Sequence, residues 1–376
     1  MNRRVFLKAS GIALAGSALT PTIFAKMAAA ATTRGKKTLV AIFQRGAVDG
    51  LNMIVPYGES AYYSARPSIA IPKSDVLDLD GFFGAHPALQ SLMPFWKDHS
   101  LAIVNAAGSP DSTRSHFDAQ DFMESGTPGV KSTEDGFLAR ALATRTSESP
   151  VRAVAMSQTP PRILAGSQAI STTDINAYAN SPAAKIFGSM YPESFDAVKV
   201  LRSLEGHNDV EYPRGPLAAS LKQIAQLIKS DVGLEVAFAD VSGWDTHAGE
   251  GAAQGQLANN LRNFADAIAA FAKDLGSRMS DVVLVTMSEF GRTVHENGNR
   301  GTDHGHATAM LILGGNVHGG KVHGKWPGLE NLYENRDLAV TTDFRDVFAD
   351  VLRKHLAVPS LANVFPRYAP KAVGLL

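Results

Sequence analysis

The sequence predicts an α/β fold with a largely parallel central sheet covered by helices on both faces. Three observations predict it. Short β-branched and apolar runs of buried-strand length recur along the chain, helical stretches with a three-and-four apolar spacing lie between them, and polar clusters follow the runs rather than interrupting them. The strand runs are Thr38 to Phe43, Leu101 to Asn105, Val151 to Met156, Leu234 to Val241, Val282 to Met287 and Ala309 to Leu313. The clearest helices are Leu217 to Lys229 and Gln256 to Leu275, the latter with Leu257, Leu261, Phe264, Ile268, Phe271 and Leu275 on one stripe. A further helix is expected from Phe117 through Glu124, after the Leu101 to Asn105 strand. Residues 157–231, rich in Ser, Thr, Ala, Asn and Pro, read as an insertion or cap over the site within a single domain spanning 32–376.

The amino terminus reads as an address. Asn2-Arg3-Arg4-Val5-Phe6-Leu7-Lys8 has the form of a twin-arginine export signal, followed by a mildly apolar stretch and an Ala-x-Ala cleavage region at Ala28 to Ala31. The apolar stretch is short and rich in Gly, Ala, Ser and Thr, which argues against stable membrane insertion after cleavage of 1–31. The expected location is periplasmic or secreted, with the twin-arginine translocase as the partner during export of an already folded chain.

Composition narrows the chemistry. Of 36 Lys and Arg, four lie in the signal, and 36 Asp and Glu remain, so the mature chain is near neutral to slightly acidic and no basic patch argues for nucleic acid. With no cysteine there is no thiolate metal site and no thiol nucleophile, so any metal has to be held by His, Asp and Glu. There is no haem motif or convincing dinucleotide loop either, which disfavours a redox enzyme.

The chemistry-bearing residues sit in five clusters, each beside a strand run, where α/β folds gather ligands at one sheet edge. The first, Arg45 to Gly50, presents Asp49 as a candidate metal ligand, although an Asp before glycine is more often a turn residue. The second, Ser112-Thr113-Arg114-Ser115-His116, offers Ser112 or Ser115 as a nucleophile or a helix cap, with Arg114 and His116 beside them. In the third, Gly243-Trp244-Asp245-Thr246-His247, a carboxylate and an imidazole emerge together. Asp245 and His247 gain weight as ligands when paired with Asp303, His304 and His306 of the fifth cluster, Gly301 to His306, since zinc and hard divalent ions accept such mixed donors. The fourth, Ser288-Glu289-Phe290-Gly291-Arg292, supplies Glu289 as a ligand and Arg292 either as an oxyanion-binding fork or as a structural ion-pair partner. His86, His99, His207, His318, His323 and His355 read as structural histidines.

Taken in order with the export signal, these motifs resemble the bacterial family known as domain of unknown function 1501. The sequence carries Arg45-Gly46-x-x-Asp49-Gly50-Leu51-Asn52, Arg114 to Asp121, Gly243 to His247, Ser288 to Thr293 and Gly301 to Gly305, and the resemblance covers nearly the whole mature chain. That family is similar to the alkaline phosphatase superfamily of phosphatases, phosphodiesterases, sulfatases and phosphoglycerate mutases. The resemblance implies an alkaline phosphatase-like fold and divalent metal ions, Zn, Mg, Mn or Ca. It implies Ser112 as nucleophile with Ser115 as fallback, and metal ligands Asp49, Asp245, His247, Glu289 and His304 or His306. Three departures stand out. One residue separates Asp245 from His247 where the superfamily has three; Glu289 replaces Asp and Phe290 replaces His; and the formylglycine context of sulfatases is absent. The implied function is metal-dependent hydrolysis of a phosphate or sulfate ester, the substrate being a small-molecule or envelope anionic ester. The alternative is a non-catalytic binding protein of the same fold that recognises an anionic envelope component or a partner protein.

Overall fold

The computed structural model describes residues 37–147, 149–181, 200–201 and 210–376. The expected export signal at 1–31 and part of the expected insertion, 182–199 and 202–209, lie outside the described residues.

In chain order the strands are β1 Thr38–Arg45, β2 Ile54–Val55, β3 Leu77–Asp78, β4 Gly84–Ala85, β5 Leu101–Gly108, β6 Ala153–Met156, β7 Ile170–Ser171, β8 Val236–Ser242, β9 Val282–Met287, β10 Thr308–Gly314, β11 Lys321–His323 and β12 Thr342–Asp343. The helices are α1 Gly50–Met53, α2 Ser60–Ala65, α3 Met93–Lys97, α4 His116–Ser125, α5 Phe137–Ala143, α6 Ile175–Asn180, α7 Pro216–Lys229, α8 Gln256–Leu275 and α9 Phe344–Lys354. Nine strands form one sheet in the order β11-β5-β10-β9-β1-β8-β6-β7, with β12 also on β5, and β2, β4 and β3 form a small second sheet.

Every strand of the large sheet runs parallel to the others except β10, which is antiparallel to both β5 and β9. Strand alternation sends Val40 and Ile42 of β1 to one face and Leu39, Ala41 and Phe43 to the other. The first face is covered by α7 and α8 through Leu221, Ile224, Leu261, Phe264 and Phe271. The second is covered by α5 and α9 through Phe137, Leu138, Phe344, Phe348 and Leu352. Both faces of the central strands are thus dry, which is why they read as continuous apolar runs.

The segment expected as an insertion contributes to the body at both described ends. β7 pairs in parallel with β6, and α7 packs its apolar stripe into the same core as α8. Among the described residues no helix is long and apolar enough to cross a membrane.

Candidate metal centre

Sheet direction brings four of the motifs to one edge. β1, β5, β8 and β9 all end there, so the loops after Arg45, Gly108, Ser242 and Met287 emerge side by side. β10 runs the opposite way, so the loop preceding it, 301–307, arrives at the same edge from the other direction. That loop is zipped to the loop after β9: Gly291 N–H donates to His306 O at 2.8 Å, Gly305 N–H to Gly291 O at 2.8 Å and Thr293 N–H to Asp303 O at 2.9 Å. It also lies directly on the third cluster. A Cβ on Gly301 would meet the Thr246 carbonyl oxygen at 2.5 Å, so only glycine permits this approach.

At the centre, three imidazoles and a carboxylate converge. His116 Nε2 lies 3.0 Å from His304 Nε2, and His247 Nε2 lies 2.9 Å from His304 Nε2. Asp245 Oδ1 sits 3.1 Å from His247 Nε2, 3.3 Å from His304 Nε2 and 3.7 Å from His116 Nε2. One donor atom each from His116, Asp245 and His304 falls within 4.8 Å of the others. Asp245 and His247 are about half exposed, so the cluster opens to solvent.

The opposite ring nitrogens decide what faces inward. His304 Nδ1 is 2.9 Å from the Arg114 carbonyl, which can only accept, so Nδ1 carries the proton. His116 Nδ1 is 2.8 Å from Glu289 Oε1, and His247 Nδ1 is 3.0 Å from Asp303 Oδ1. Burial opposes ionisation of Glu289, but hydrogen bonds from His116, Gln120 and the Gly46 N–H outweigh it and hold the carboxyl below its ordinary range. Burial likewise opposes ionisation of Asp303, and the bond from His247 outweighs it. With three Nδ1 protons fixed by acceptors, three Nε2 lone pairs and Asp245 Oδ1 point at one another. A cation, proton or metal ion, has to stand between them. The bond to Glu289 raises the pKa of His116 against burial, whereas burial lowers that of His304.

The donor set fits a metal ion. Each inward-facing imidazole has its outer nitrogen on a carboxylate or carbonyl, the arrangement that orients histidine ligands, and a set of imidazoles with one carboxylate suits zinc better than magnesium or calcium. His116, expected among the catalytic residues, lies in the cluster itself. Glu289 and Asp303, expected as ligands, stand behind the histidines rather than beside them.

Six expected site residues do not join the cluster. Asp49 is fully buried, caps α1 by accepting from Leu51 N–H at 3.2 Å, and has both oxygens bonded to Arg66, itself fully buried. His306 donates through Nε2 to Ser109 O at 3.0 Å and packs on Tyr333. Arg292 is not a free oxyanion fork: it is 1% exposed and donates to the carbonyls of Gly46, Ala47, Trp244 and Thr302 and to Asp245 Oδ1, knitting four loops together. That bond also keeps Asp245 ionised against the effect of burial. Arg114 is held by Asp337 and Glu334. Of the serines, Ser115 caps α4 by accepting from Asp118 N–H at 3.4 Å, while Ser112 lies exposed in the preceding loop, three positions before the cap, with no hydrogen bond to its hydroxyl among the described residues.

Fold and cluster together define an α/β protein with a histidine- and carboxylate-lined cluster at the carboxyl edge of its sheet. Residues 205–363 match the family described as protein of unknown function (DUF1501), a span that contains the third, fourth and fifth motifs, so the resemblance to that family holds over that part of the chain. No curated protein matches the chain in sequence. Among solved structures the chain is similar to the C-terminal periplasmic domain of EcEptC from Escherichia coli in complex with Zn, at 12% identity and TM-score 0.37 over 76% of this chain and 74% of that one. It is also similar to the lipoteichoic acid synthase LtaP from Listeria monocytogenes, at 11% identity and TM-score 0.39 over 86% and 73%. A third is the phosphonate monoester hydrolase of Agrobacterium radiobacter, at 10% identity and TM-score 0.36 over 90% and 79%.

Proposed function

We propose that the chain is an exported metal-dependent hydrolase of a phosphate or sulfate ester, with one divalent ion of the zinc kind held by His116, Asp245, His247 and His304. The carrying observation is the convergence of three imidazole lone pairs and one carboxylate oxygen with every outer Nδ1 bonded to an acceptor. When bound, such an ion neutralises charge on the ester oxygens and acidifies a nearby hydroxyl. The count is one ion because Asp49, the further carboxylate expected as a ligand, is committed to Arg66.

Glu289, Asp303 and the Arg114 carbonyl hold the three rings in place. Ser112 is the proposed nucleophile, since its hydroxyl is free and that of Ser115 serves the helix. Its Oγ bonds to the central phosphorus or sulfur as the bond to the alcohol breaks and the alcohol takes the hydroxyl proton; water then releases phosphate or sulfate and restores the serine.

The second reading, a non-catalytic protein that binds an anionic envelope component or a partner protein, draws on Phe290, which stands where the superfamily pattern has a histidine and packs on His116 and His304. Turnover of a panel of phosphate mono-, di- and sulfate esters by zinc-loaded protein, compared with Ser112→Ala and His304→Ala, separates the two. The hydrolase reading expects turnover that both variants lose; a zinc-loaded wild type that hydrolyses no ester favours the binding protein.

A further inference from the structure

Behind the cluster lies a second polar group that the proposed chemistry does not use. Glu250, Asp49, Arg66, Asn52, Thr246 and Thr302 are all buried. Glu250 Oε2 accepts from Thr246 Oγ1 at 2.9 Å and from Thr302 Oγ1 at 2.7 Å, and Oε1 accepts from Asn52 Nδ2 at 3.2 Å. Its own N–H donates to Arg300 O at 2.9 Å, and Thr302 N–H donates to Thr246 O at 3.1 Å. Thr246 lies between Asp245 and His247, and Thr302 immediately precedes Asp303 and His304.

We propose that Glu250 is the positioning residue of the ion site: buried behind the cluster, its carboxyl joins Thr246 to Thr302 and so sets the spacing between the loop of Asp245 and His247 and the loop of Asp303 and His304. The proposal rests on the reading of the cluster as an ion site. Charge supports the protonated form. Two buried carboxylates, Asp49 and Glu250, lie in contact, and the guanidinium of Arg66 is bonded to Asp49. Burial opposes ionisation of Asp49 but Arg66 holds it ionised, and burial together with Asp49 pushes Glu250 well above the usual carboxylate range. The acid hydroxyl then donates to Asp49, leaving acceptor positions for both threonines and Asn52.

The test compares Glu250→Gln with Glu250→Leu in the full chain, titrating zinc alone against a chelator. Gln keeps the shape, an acceptor for the two hydroxyls and an N–H for Asp49, and gives up only the bond from Asn52 Nδ2, which retains Ile69 O as acceptor, so its zinc affinity stays close to wild type. Leu leaves both hydroxyls unpaired and lowers affinity about 10- to 100-fold, the scale expected when the support of a ligand is removed. If Leu does not fold, Thr302→Val, which removes one of the two hydroxyls, is expected to weaken zinc while leaving the fold intact. A folded Leu or Val variant that binds zinc as tightly as wild type overturns the proposal, as does an equal loss in Gln and Leu. Wild type that binds no zinc sinks the ion-site reading instead, and amide hydrogen exchange then decides on positioning. Faster exchange in 243–247 and 301–304 together in the Leu variant, with β1 unchanged, supports it; a rise in one loop alone or throughout the chain overturns it.

Discussion

Replacing Arg292 by Met tests whether that arginine organises the loops or waits for a substrate anion. The side chain is 1% exposed and makes five bonds, four to backbone carbonyls and one to Asp245. Trp244 O keeps a second partner, the Thr246 N–H, but Gly46 O, Ala47 O and Thr302 O have no other hydrogen-bond donor in the described structure. Three carbonyls stranded at about 1 kcal/mol each, the low end for a buried unpaired acceptor, give a loss of about 3 kcal/mol. Loss of the partner to Asp245 adds little, because that carboxylate is half exposed and can be solvated. At about 2 °C per kcal/mol for a chain of this size, the melting temperature should fall by about 6 °C. Thermal unfolding of zinc-free protein is the assay, because it excludes any contribution from ion binding. A melting temperature within about 1 °C of wild type, with only phosphate binding weakened, would refute the organising role and restore the oxyanion fork expected from sequence.

Three further outcomes are expected. Ser115→Ala should cost about 1 kcal/mol of stability through loss of the α4 cap, whereas Ser112→Ala should leave stability unchanged while abolishing turnover, both read by urea unfolding and ester assay. Burial depresses the His355 imidazole to about 4 from its ordinary 6.5, so its contribution is fully present above pH 6.5 and lost as pH falls toward 4. That loss amounts to about 3 kcal/mol at most, and stability measured against pH should fall less steeply in His355→Gln. Arg3→Lys combined with Arg4→Lys should leave uncleaved precursor in the cytoplasm, as fractionation and immunoblotting would show, if the paired arginines are the export address that the sequence predicts.

The sheet was legible in the sequence because its strands are buried on both faces and so read as unbroken apolar runs. The expected run at Val282 to Met287 coincides with β9, and that at Thr38 to Phe43 lies within β1. Helix α8 was legible from its stripe, and α9 carries the same signal at Phe344, Val347, Phe348, Val351 and Leu352 among buried Arg345, Asp346 and Asp350. β7, β11 and β12 are two or three residues long and exist through pairing with distant strands, which no local period encodes. At the site, adjacency to strand ends marked Asp245, His247 and His304. The division of labour was not encoded locally. Whether Asp49 faces an ion or a guanidinium depends on Arg66, 17 positions away, and whether Glu289 touches an ion or a histidine depends on His116, 173 positions away. Glu250 gave no signal at all, since its contacts with two threonines come from burial in the folded chain.

Metal analysis of the folded, purified chain after zinc loading and desalting tests the central claim most directly, read beside the same measurement on His304→Ala. The account predicts about one equivalent of zinc per wild-type chain, as for a single site with four protein ligands, and almost none in the variant, since His304 Nε2 touches both other imidazoles. Wild type that retains no zinc, or a His304→Ala chain that retains as much as wild type, would contradict it.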